Sequence, residues 1–129
     1  MAAILVADDG KGMRDLIRMV LERAGHQVVE AINGNEALAA VRRVALDLVV
    51  TDIIMPDCDG IEAITLIKRE KPAIKILAIS GGGQAHAMDL LTLAPMAGAD
   101  ATLAKPFRTA ALLNIIDQLV GTAGTADEE

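Results

Sequence analysis

The chain has 129 residues, 53% of them hydrophobic, and a net charge of −6; this suits one domain with a real core and argues against nucleic-acid binding, which needs clustered Lys and Arg. One Phe with no Tyr or Trp leaves no base-stacking platform, and the apolar runs are strand-sized, too short for a membrane span or a signal peptide. The single Cys58 can close no internal disulfide, which together with the missing leader predicts a cytoplasmic protein with Cys58 as a spare thiol.

In chain order, short apolar runs alternate with helix-like segments. "AAILVA" (2–7) reads as the first strand and is followed at once by Asp8 and Asp9. Next, Met13, Leu16, Ile17, Val20, Leu21 and Ala24 form an apolar stripe at helical spacing, stopped by Gly25. "QVVEAI" (27–32) is the second strand, and "NGNEALAAVRRV" opens a helix with Asn33 and Glu36 spaced as a capping box.

"DLVVTD" (47–52) is the third strand, ending on Asp52. The helix after it carries Asp59 and Glu62 at the same capping spacing and ends before Pro72. "AIKILAIS" (73–80) is the fourth strand. The segment 84–97 is helical in content, although Pro95 should shorten or kink it. "ATLA" (101–104) is the fifth strand. The last helix, at 108–120, puts Leu112, Ile115, Ile116, Leu119 and Val120 on one face. A small, polar, acidic tail at 122–129 is expected to be disordered, leaving 1–121 as the domain. Such alternation predicts a single α/β domain, a five-stranded parallel sheet with helices on both faces, because parallel strands need crossover connections.

In sheets of this kind ligands bind beyond the carboxyl ends of the strands. Asp8 and Asp9 follow the first strand, Asp52 ends the third, Ser80 the fourth and Lys105 the fifth. Crowded carboxylates repel unless a cation intervenes. Hard oxygen ligands without Cys or His suit Mg²⁺, held by Asp8, Asp9, Asp52 and the backbone carbonyl of Ile54. The inventory fits phosphoryl transfer onto Asp52 as nucleophile, with Ser80 and Lys105 holding the phosphoryl oxygens. In the loop that follows, Pro56 stiffens the chain, Gly60 relaxes it, and Asp57 is a solvated acid. His26 and His86 have no partner acid or thiol at ligand spacing and are expected to be surface or loop residues.

Together these motifs resemble the receiver domain of bacterial two-component response regulators. They are "DD" (8–9), "DIIMPDCDG" (52–60), "ISG" (79–81) and "GADATLAKPF" (98–107), in order along residues 3 to 120. The resemblance implies the flavodoxin-like strand order 2-1-3-4-5 and a cis Lys105–Pro106 bond. It implies that a sensor histidine kinase or a histidine phosphotransfer protein donates a phosphoryl group to Asp52 in a Mg²⁺-dependent reaction. Ser80 and Lys105 would then shift the fourth and fifth helices, here 84–97 and 108–120, toward a downstream protein partner. A stand-alone, chemotaxis-regulator-like switch is expected rather than an enzyme, as a monomer or weak dimer that touches neither membrane nor nucleic acid.

Two departures stand out. The family often carries an aromatic residue three positions before the lysine, where this chain has Thr102. The loop after Ser80 is glycine-rich, yet lacks the Gly-Lys-Ser/Thr of a nucleotide-binding loop. Thr102 keeps open a second function, a receiver-like interaction scaffold that does not switch. An aspartate-nucleophile phosphatase would need a second acid where Ile54 stands. A flavodoxin would need aromatic residues around its ring, and those are missing.

Overall fold

The computed structural model describes residues 2–53, 60–81, 94–95 and 97–121. Strands β1 (Ala3–Ala7), β2 (Gln27–Ala31), β3 (Leu48–Asp52), β4 (Lys75–Gly81) and β5 (Ala101–Lys105) form one sheet in the order β2-β1-β3-β4-β5. Every pairing is parallel. Helices α1 (Lys11–Arg23), α2 (Gly34–Arg43), α3 (Gly60–Glu70) and α4 (Thr109–Val120) supply the covering layers. This is the α/β class and strand order that the sequence and its resemblance imply.

Side chains alternate across the sheet, so each strand feeds two cores. Leu5, Val49, Ile76 and Ala78 pack with Ala37 and Val41 of α2 and with Ile64 and Ile67 of α3. Ile4, Val6, Leu48, Val50, Leu77 and Ile79 pack on the other face with Ile17 and Leu21 of α1 and with Leu112 and Ile116 of α4. All five residues of β3 are buried, which is why it reads as an unbroken apolar run ending in Thr51 and Asp52.

The turn chemistry follows the sequence where backbone geometry demands it. Gly25 takes φ +96 after α1, and His26 N–H closes back onto Leu21 O at 3.0 Å, a Schellman ending. Gly98 takes φ +125, and a Cβ there would lie 2.7 Å from Lys68 Cγ; the same lysine reaches Asp100 at 3.0 Å and ties α3 to the segment entering β5. Asn33 Oδ1 accepts from Glu36 N–H at 2.8 Å, while Glu36 Oε1 accepts from Ile32 N–H at 2.9 Å. The Lys105–Pro106 bond is cis. Among the described residues no helix is long and apolar enough to cross a membrane.

One expectation needs correction. Leu16, placed on the apolar stripe of α1, is 42% exposed, because the stripe is broader than the strip of sheet that α1 covers. With Met19 and Val20 it lines a groove against Thr109 and Leu113 of α4. His26 lies in the loop between α1 and β2, within its expectation as a surface or loop residue. It is partly buried, and its Nδ1 accepts the Ala2 N–H at 3.1 Å. The helix expected at 84–97 lies outside the described residues apart from Ala94, Pro95 and Ala97, as does the tail at 122–129.

Packing and protonation give two tests. Leu77 is fully buried on β4, between β3 and β5, so Leu77→Ala should cost about 2–5 kcal/mol in urea unfolding; a cost below ~1 kcal/mol would mean that this core collapses around the cavity. Burial pushes the His26 imidazole down from its ordinary value. The folded chain therefore binds fewer protons than the unfolded one once the pH falls below about 6.5. The stabilisation is present above that pH and is lost as the pH falls through the folded value. Urea midpoints at about pH 7.5 and about 5.5 should differ less in His26→Gln than in wild type; equal differences would remove His26 from the pH dependence.

Candidate functional site

The strand order reverses beside β1, whose two neighbours are β2 and β3. The carboxyl ends of β1, β3, β4 and β5 therefore open onto one edge. Asp8 leaves β1 and Asp52 ends β3, both at least nine-tenths buried, at 4% and 8% exposure. Asp9, on the same loop as Asp8, is exposed. One carboxylate oxygen from each of these three lies within 4.8 Å of the others.

Lys105, the last residue of β5, reaches into this cluster. Its Nζ lies 3.0 Å from Asp52 Oδ2 and 3.2 Å from Asp8 Oδ2. Burial alone would lower the pKa of the ammonium, but the Asp52 hydrogen bond and charge, followed by Asp8, outweigh it and hold the value above the ordinary one. Asp8 is also fixed from its own loop, where Oδ1 accepts Gly10 N–H at 2.8 Å. A Cβ at residue 10 would stand 3.3 Å from that oxygen, so the small residue lets the loop turn tightly around the acid.

Ser80 is fully buried on β4, and its Oγ has no hydrogen-bond partner among the described residues. A buried orphan hydroxyl is costly, of order 1–3 kcal/mol, and such a group points to a ligand that completes its bonding. Ser80 pairs in register with Ala104, and Gly81 with Lys105, so hydroxyl and ammonium come from adjacent strands. The structure thus brings Asp8, Asp9, Asp52 and Lys105 together, with Ser80 on the strand between β3 and β5. Ile54, with the rest of residues 54–59, lies outside the described residues.

The sequence reading missed a set of charges behind the acids. Arg14 of α1 donates through Nη1 to the Asp8 carbonyl at 2.9 Å and through Nε to Glu30 Oε1 of β2 at 2.8 Å. Arg18 also binds Glu30, together with Glu22 at 3.0 Å. The four-residue spacing of Arg14 and Arg18 shows that they share a helix face; which strand residue meets them depends on where α1 packs.

The arrangement can hold a hard divalent cation on oxygen ligands and a phosphoryl group between a lysine and a hydroxyl. Residues 4–117 match the model of the response regulator receiver domain. The chain belongs to the response regulator receiver family. It is 32% identical to the chemotaxis protein CheY of Thermotoga maritima, covering 90% of this chain and 95% of that one. Identity to CheY of Halobacterium salinarum is 36%, covering 91% and 95%. The crystal structure of NtrX from Brucella abortus superposes with a TM-score of 0.87 at 31% identity; it covers 98% of this chain, which spans 29% of that longer one. Receiver domains of two-component systems accept phosphoryl groups from histidine kinases or phosphotransfer proteins, bind Mg²⁺ at an acidic pocket, and act on downstream targets.

The Lys105 bonds make a prediction at alkaline pH. A raised lysine pKa gives stabilisation that is full below about 10.4 and is lost as the pH rises through the folded value. In an NMR titration, Asp52→Asn should lower the Lys105 midpoint, and Asp8→Asn should lower it less. A midpoint unmoved by Asp52→Asn would show that the Asp52 bond does not hold the ammonium.

Proposed function

We propose that this receiver is phosphorylated on Asp52 in a Mg²⁺-dependent reaction and passes the signal to a protein partner. The observation that carries the reading is the gathering of three carboxylates, two of which share one ammonium. Fully ionised, that set leaves two negative charges uncompensated, the charge of one divalent cation. Asp8, Asp9, Asp52 and the Ile54 carbonyl would hold Mg²⁺, which supplies charge neutralisation to the transferring phosphoryl oxygens.

This chain's own residues do the rest. An Asp52 carboxylate oxygen attacks phosphorus as the phosphorus–nitrogen bond of a phosphohistidine breaks. The phosphoryl group moves to Asp52 and the imidazole nitrogen leaves with the bonding pair. Lys105, already 3.0 Å from Asp52 Oδ2, exchanges part of that contact for a phosphoryl oxygen. Ser80 Oγ, without a partner among the described residues, donates to another. Moving these two groups on β4 and β5 links the phosphorylated state to the surface beyond those strands.

Thr102 favours a second reading. It sits on β5 in register with Ala78, where the family often places an aromatic residue, and a threonine cannot fill a pocket shaped for a ring. In that reading the chain is a scaffold whose partner surface does not respond to the phosphoryl group.

Intact-mass spectrometry with acetyl phosphate should show one added phosphoryl group in wild type, lost on chelating Mg²⁺ and lost in Asp52→Asn. Equal labelling of Asp52→Asn would overturn the assignment of the acceptor. NMR with beryllofluoride, a phosphoryl mimic, separates the two readings. Shifts spreading from Ser80 and Lys105 to Thr102 and α4 mark a switch, and shifts confined to the pocket mark a scaffold.

A further inference from the structure

The acid pocket places two of its carboxylates on an irregular segment, Asp8 to Gly10, between β1 and α1. Asp9 is exposed, so packing does not fix it. Besides the Gly10 and Lys105 bonds to the Asp8 carboxylate, backbone bonding on both sides of Asp8 anchors the segment. The Asp8 N–H donates to Ala31 O of β2 at 3.1 Å, and the Asp8 carbonyl accepts from Arg14 Nη1 at 2.9 Å. Arg14 is largely sequestered, its side chain 13% exposed, and its Nε is held by Glu30 Oε1.

We propose that Arg14 is a positioning residue of the metal site: its guanidinium clamps the Asp8 carbonyl to Glu30 of β2 and so keeps the Asp8 and Asp9 carboxylates aimed at Asp52. The inference rests on the acid pocket being the Mg²⁺ site. The clamp acts through geometry rather than charge, because Glu30 neutralises the guanidinium it holds. The Glu30 carboxyl is pulled below its ordinary value first by the Arg14 hydrogen bond. A lysine cannot replace the clamp, since the two acceptors are met by different nitrogens of one rigid planar fork.

Removing the fork leaves the Asp8 carbonyl without its side-chain donor, and the segment that carries both acids gains freedom. Lys105 still holds Asp8 near Asp52, but the aim of Asp8 and Asp9 is less well fixed, and cation binding must supply part of the ordering. Residues that orient metal ligands typically change affinity about 10–100-fold when removed. Arg18 is the internal control: it binds Glu30 and Glu22 in the same network, and none of its described bonds goes to Asp8.

The test uses the full chain and two NMR readouts. Without metal, Arg14→Gln should speed amide exchange at Asp8 and Gly10 about tenfold while β3 and β4 amides keep their protection. With Mg²⁺ alone as titrant, the dissociation constant should rise about tenfold in Arg14→Gln and Arg14→Lys, and stay within about twofold in Arg18→Gln. Should Arg14→Gln lose β3 and β4 protection, Arg14→Lys, which keeps the charge and the stem, decides. Unchanged affinity in the Arg14 variants, or an equal loss in Arg18→Gln, would overturn the inference and leave the metal site standing. A wild type that shows no Mg²⁺ response at Asp8, Asp9 and Asp52 would overturn the site and the inference together.

Discussion

The contact on which the site depends is the Lys105 ammonium, shared between Asp8 and Asp52. Two carboxylates that are at least nine-tenths buried cannot sit side by side as anions without a cation between them. Lys105 meets that need from a third strand, and in doing so joins the ends of β1, β3 and β5 at one edge. Because the ammonium neutralises only part of the cluster, the pocket keeps the charge that a divalent ion would answer. The same contact is also the one a phosphoryl group on Asp52 would compete for.

The sheet makes this contact possible. β3 is buried along its whole length and flanked by β1 and β4, so Asp52 is presented from a strand packed on both faces and paired on both edges. Lys105 comes from β5 at the edge, where a long side chain can cross β4 to reach the centre. The pocket therefore has a rigid acid at its middle and more adaptable groups on its rim. That division suits the proposed function, in which Asp52 is held still as the acceptor and its surroundings respond.

Behind the pocket, Arg14, Glu30 and Arg18 tie α1 to β2 and to the Asp8 backbone. In front of it, Ser80 brings a buried hydroxyl with no protein partner among the described residues. One set is satisfied within the protein and gives order. The other is incomplete and leaves a hydroxyl open to a ligand. Arg14 and Ser80 are both largely sequestered; the difference lies in whether the fold itself completes their bonding.

Much of this was legible in the sequence because it depends on local pattern. Apolar runs of strand length alternating with helical stripes gave a parallel sheet, and acids or a lysine directly after successive strands gave the edge on which Asp8, Asp9, Asp52, Ser80 and Lys105 meet. Gly25 marked the end of α1 because only a residue tolerant of positive φ closes that turn easily. Periodicity alone did not give the strand order, which came from the resemblance and is seen in the sheet. Nor could periodicity show that Leu16 would remain exposed, since a stripe's width does not reveal how much of it a neighbour covers. Arg14 on the Asp8 carbonyl, Glu30 between two arginines and His26 on Ala2 were decided only by tertiary structure. Those partners lie far apart in sequence or use backbone atoms that every residue has, so spacing carries no trace of them; only the packing of α1 against the sheet fixes which groups meet.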